Sequence, residues 1–153
     1  MTSNEKIREL AVELKILENT AEGLRSRLSF VSAALSELDL ANKTLEGIER
    51  AKAGSSILVP IGGGSFIKAK LDNPDKIVYG VGARVTLEKT LKDAKEGITT
   101  RINKLTETKA SIEQHFEKVL KKMGEDQSRM QQISAEINRE AGTRDVRKTS
   151  SGT

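Results

Sequence analysis

The chain has 153 residues, of which 3% are aromatic and 31% charged, with no tryptophan and a net charge of +4. That length suits one domain, but so little bulky apolar material cannot fill a large globular interior. The lack of cysteine excludes disulfides and thiolate metal sites. No apolar run approaches the roughly 18 residues needed to cross a bilayer, and residues 1–10 are polar and mixed in charge, unlike a signal peptide. Basic residues are interspersed with acidic ones, as on a solvated helix surface. The expectation is a cytoplasmic chain with neither nucleic acid nor membrane as a partner.

The first predicted element is a helix over residues 4–53. Ile7, Leu10, Leu14, Leu17, Ala21, Leu24, Leu28, Val31, Leu35 and Leu38 recur in steps of three and four with no proline between them, and Asn42 and Leu45 continue the series. A 3.5-residue apolar repeat keeps one seam facing a partner helix and predicts a coiled coil. Asn42 either fixes register from a core position or is a surface residue where the helix frays.

Residues 56–87 change character. The runs 57–61 and 66–71 are β-branched or alternating and are joined by Gly62-Gly63-Gly64-Ser65. A third run, 76–81, is entered through the turn chemistry of Asp72-Asn73-Pro74-Asp75, and a fourth, 84–87, follows Gly82-Ala83. Two successive hairpins are the economical reading. Pro60 cannot donate to a ladder, so its strand lies at an edge or carries a bulge. Four short strands bury little by themselves and must pair with other copies or a partner sheet.

A second helix is predicted over residues 88–140. Its seam runs through Ile98, Ile102, Leu105, Lys109, Ile112, Phe116, Val119, Met123, Asp126, Met130, Ile133 and Ile137. Lys109 and Asp126 interrupt it and mark weaker or more open places. Gly124 beside the second break costs about 1 kcal/mol relative to alanine, so the last part of this helix should be its loosest. The organisation is therefore a first coiled-coil helix (1–54), two β-hairpins for oligomerisation (55–87), a second coiled-coil helix (88–140) and a disordered tail (141–153). The fold class is α+β and predominantly α: a long antiparallel helical hairpin whose two central β-hairpins assemble into an oligomeric β-barrel.

The motifs that suggest chemistry fail on inspection. Gly62-Gly63-Gly64-Ser65 lacks the lysine of a phosphate loop and precedes a strand, and Gly80-Val81-Gly82 has Val85 where a dinucleotide fingerprint needs glycine. His115 is the only histidine, beside the seam and without a second ligand cluster. Carboxylates lie at i, i+4 distances from Lys and Arg, as ordinary helix-surface pairs do. No nucleophile, base and orienter converge. The chain reads as a non-enzyme with no cofactor and no metal.

What remains is apolar surface near the two termini: Ile7, Leu10, Val12 and Leu14 on the first helix, and Met123, Met130, Ile133 and Ile137 on the second. These either close the seam or, where the coil frays, accept apolar partners; methionine suits surfaces that take many such partners. Val12 and Ile16 lie off the main seam, where exposure follows directly.

The stretch Leu58-Val59-Pro60-Ile61-Gly62-Gly63-Gly64-Ser65-Phe66-Ile67-Lys68-Ala69, with Val81-Gly82-Ala83 and Glu88-Lys89 further on, resembles the central part of archaeal α-type subunits of the prefoldin family. The order of helix, two hairpins and helix matches as well, over roughly residues 5–140; the tail contributes nothing. The resemblance implies a hexamer of two α-type and four β-type subunits, joined through β-barrels. It also implies ATP-independent capture of unfolded client proteins at coiled-coil tips and delivery to a group II chaperonin. Carried onto this sequence, the subunit-assembly residues are Ile57, Leu58, Val59, Ile61, Phe66, Ile67, Ile77, Val78, Val81 and Val85. The alternative is a structural spacer or self-assembling scaffold that binds no client.

Overall fold

The computed structural model describes residues 2–150, with the side chains of residues 2–143. Two helices, α1 (Ser3–Arg50) and α2 (Leu91–Ser150), flank four strands, β1 (Ser56–Gly62), β2 (Ser65–Lys70), β3 (Ile77–Gly82) and β4 (Val85–Lys89). Each helix begins where side chains satisfy its free amides. At α1, Glu5 N donates to Thr2 Oγ1 (3.3 Å) and Thr2 N donates to Glu5 Oε2 (2.7 Å), a reciprocal capping box. At α2, Asp93 N donates to Thr90 Oγ1 (3.1 Å), and Leu91 N donates to Asp75 Oδ1 (3.1 Å) from the turn before β3.

These caps explain one departure from the sequence reading. Residues 88 and 89, expected to open the helix, belong to β4 and α2 starts at Leu91, because Glu88 and Lys89 pair with Val78 and Ile77 across the second hairpin. At its other end α2 continues to Ser150, past the expected end at residue 140 and into the stretch expected to be a disordered tail. Gly142 is the only glycine of that stretch, Ala141, Arg144, Arg147 and Lys148 favour a helix, and no proline stops it. Residues 151–153 of that expected tail lie outside the described residues.

The strands form two separate antiparallel hairpins, β1–β2 and β3–β4. Each closes through a two-residue turn with both φ angles positive, the type I′ geometry that matches strand twist. In the first, the turn residues are Gly63 (φ 57°) and Gly64 (φ 71°), for which glycine carries no penalty. In the second they are Ala83 (φ 48°) and Arg84 (φ 61°), which do carry one. Ala83→Asn combined with Arg84→Gly supplies the residues this turn favours and should stabilise the second hairpin by about 1 kcal/mol. Slower amide exchange in β3 and β4 is the expected readout; unchanged exchange would show that the turn is not strained. The ladder also shifts between Pro60 and Gly62, which places the bulge where Pro60 predicted an irregularity.

The chain divides into two compact units, Met1–Phe30 with Ala110–Thr153, and Val31–Lys109. In the first unit Leu10, Leu14 and Leu24 of α1 and Val119 of α2 are buried, and Glu13 pairs with Lys122 between the helices. In the second, Leu45, Tyr79, Ala94 and Ile98 form a buried cluster packed by Leu38, Ile48, Ile77 and Ile102. Lys95 bridges there to Glu49 at 2.7 Å. Within each unit low-numbered α1 residues face high-numbered α2 residues and the reverse, so the helices run antiparallel. Asn42 is half-buried and donates to Glu46 Oε1 of its own helix (3.3 Å).

Candidate assembly and client-binding surfaces

In the second unit, the first hairpin is uncovered on both faces. Register puts the pairs Ile57/Ala69 and Val59/Ile67 on one face, and Ser56/Lys70, Leu58/Lys68 and Pro60/Phe66 on the other. The first face is wholly apolar and the second is amphipathic. Ile57, Leu58, Val59, Ile61, Phe66 and Ile67 are all exposed, Leu58 at 64% and Ile61 at 66%. A patch of this kind on a short two-stranded hairpin offers both unpaired edges and apolar side chains to a partner.

The second hairpin is covered over only part of its surface. Tyr79 is buried and Ile77 half-buried against the helical cluster, while Val78, Val81 and Val85 are exposed. Leu87 is exposed as well; the sequence reading placed it only at a strand boundary. The ten expected assembly residues are thus gathered on two neighbouring hairpins, nine of them exposed and Ile77 serving the packing of its own hairpin.

In the first unit, Leu10 and Leu14 close the helical seam, and Ile7, Met123, Met130, Ile133 and Ile137 are half-buried along it. Val12 and Ile16 stand in solvent at 61% and 60% exposure, one helical turn apart. Phe30 (79% exposed) and Leu120 are open too, although periodicity had not marked either as a surface. A groove of about 510 Å³ runs between the helices over Phe116, Leu120 and Met123, with Lys15, Glu18, Glu22 and Arg25 along its α1 side.

Asp126 is fully buried in this unit. Lys122 donates to its Oδ1 at 2.7 Å and also pairs with Glu13 at 3.2 Å, while Asp126 Oδ2 has no hydrogen-bond partner among the described residues. The hydrogen bonds from Lys122 to Asp126 and then to Glu13 hold the Lys122 ammonium above its ordinary 10.5. Asp39 does the same for Lys43. A raised lysine contributes fully below its unfolded value and loses that contribution only as pH rises through the folded value. Thermal stability should therefore be insensitive to both lysines between about pH 6 and pH 9. A fall over that range that vanished in Lys122→Met would contradict this.

His115 is exposed, and the described residues contain no group of three or more side chains able to hold a metal. No helix among them is long and apolar enough to cross a membrane. Two capped helices, antiparallel within each unit and joined through one uncovered and one partly covered hairpin, define a coiled-coil subunit built for assembly.

Comparisons agree with that class. The family model described as prefoldin subunit matches residues 17–136. The chain is 28% identical to prefoldin subunit alpha of Methanococcus vannielii over 92% of its own length and 94% of that protein's. It is 36% identical to prefoldin subunit alpha of Methanosarcina mazei, over 67% of this chain and 75% of the relative. Among solved structures, filamentous prefoldin from Methanocaldococcus jannaschii superposes with a TM-score of 0.59 at 25% identity, covering 80% of this chain and 95% of that one. The chain belongs to the prefoldin family and is a chaperone subunit of that family.

Proposed function

We propose that this chain is an α-type prefoldin subunit, two copies of which join four β-type subunits. In this reading the complex captures unfolded proteins without ATP and passes them to a group II chaperonin. The observation that carries it is the pair of hairpins with Leu58, Ile61, Phe66, Ile67, Val78 and Val85 in solvent. So much apolar strand surface is stable only when another sheet covers it. The reading is of a cytoplasmic, non-enzymatic protein that needs no cofactor, and its partners are other prefoldin subunits and client chains.

Client capture falls to the unit that contains the termini, where Val12 and Ile16 are open and the half-buried methionines and isoleucines lie along the seam. Aggregation of a chemically denatured enzyme, followed by light scattering without nucleotide, tests this. The complex with a β-type subunit should suppress aggregation, and deletion of residues 1–12 with 130–153 should remove suppression while leaving the assembled mass reduced only by the deleted residues. Equal aggregation with and without the intact complex would refute capture and leave a spacer.

A second reading is self-assembly of this chain through the same hairpins, supported by the filamentous prefoldin it superposes on. Mass measured with and without the β-type subunit separates the two: a defined hexamer favours the first, and long homopolymers favour the second.

A further inference from the structure

Tyr79 is the only tyrosine of the chain and the one buried residue of either hairpin. On β3 it shares a face with Leu87 and points into the helical cluster of its unit. The Lys89 ammonium lies 4.4 Å and the Arg101 guanidinium 4.6 Å from its ring centroid, both within cation–π range. Arg101 also donates to the Gly80 carbonyl, which ties α2 to the strand backbone directly after the tyrosine. The far end of the ring rests on Gly97 of α2, where a Cβ would come within 2.6 Å of Tyr79 Oη and 2.9 Å of Cζ.

That contact accounts for a glycine that helix chemistry disfavours. Gly97 has no left-handed φ and sits inside α2, where alanine is the better residue. Gly47 in α1 is the useful contrast, since a Cβ there meets nothing within 4 Å. The first hairpin has no equivalent anchor, because none of its residues is buried.

We propose that Tyr79, seated on Gly97 and held by Arg101 and Lys89, is a positioning residue for subunit assembly. It fixes the second hairpin at one orientation against α2, so that Val78, Val81 and Val85 meet a partner sheet already aligned. Without it only Ile77 and the Asp75 cap hold the base of the hairpin, and the rest must be ordered at each encounter, which weakens association. This rests on the reading that the hairpins are assembly surfaces.

The test compares Gly97→Ala with Gly47→Ala in the full chain, measuring melting temperature, amide exchange of β3 and β4, and the dissociation constant for a β-type prefoldin subunit. Gly47→Ala should raise the melting temperature and leave exchange and affinity unchanged. Gly97→Ala should keep its helix content, speed exchange in β3 and β4, and weaken association about tenfold or more. Tyr79→Ala, which leaves α2 untouched, should reproduce the last two effects. If Gly97→Ala only raises the melting temperature, as its control does, the positioning role is overturned. If the unaltered chain associates with neither the β-type subunit nor itself, the assembly reading falls, and the exchange rates still decide whether Tyr79 holds the hairpin.

Discussion

Val59→Asp combined with Ile67→Asp should leave both helices folded and abolish assembly. The two residues are directly opposite in the first hairpin and share its apolar face with Ile57 and Ala69. Both are exposed in the isolated chain, so the substitutions cost it little beyond the repulsion of two carboxylates across a strand pair. In an assembled sheet the same carboxylates would be buried without partners, a penalty of several kcal/mol per charge. Association should weaken more than about a hundredfold. Light scattering of the mixture with a β-type subunit would then report separate components, with helix content retained by circular dichroism. Leu58→Asp, on the amphipathic face beside Lys68, should weaken assembly less. An unchanged assembled mass for the double variant would show that this face is not the interface.

Asp126→Leu should raise stability by about 1–3 kcal/mol, a rise of several degrees in melting temperature. Asp126 occupies a seam position in step with Val119, Met123, Met130 and Ile133, yet it is fully buried with one oxygen lacking a partner. A buried ion pair at best breaks even against a well-packed apolar side chain, and an unmade hydrogen bond adds to its cost. Lys122 keeps Glu13 as a partner after the substitution, so no buried cation is stranded. Suppression of client aggregation should stay within about twofold of the unaltered complex, because Val12 and Ile16 are open without any parting of the helices. If suppression falls as the melting temperature rises, then Leu10 and Leu14 take part by opening of the seam. No gain in stability would mean that the carboxylate is better satisfied than its geometry indicates.

The sequence by itself determined the helices, the two hairpins and the need for a partner, because each has a local signal. A 3.5-residue apolar repeat specifies a helix with one covered stripe, and glycine- and proline-marked turns between β-branched runs specify short strands. The exposed faces of the first hairpin could likewise be counted from alternation alone. Tertiary structure decided what depends on neighbours remote in the chain. Glu88 and Lys89 are strand because Val78 and Ile77 pair with them, although Thr90-x-x-Asp93 is a readable helix start. Asp126 looked like a gap in the seam, and only the packing of α1 and α2 shows it buried beside Lys122. Tyr79 is a lone aromatic in a short strand and carries no local signal of its role. Its role depends on a glycine and an arginine of α2, and residues on separate elements carry no periodicity that links them until the fold brings them together.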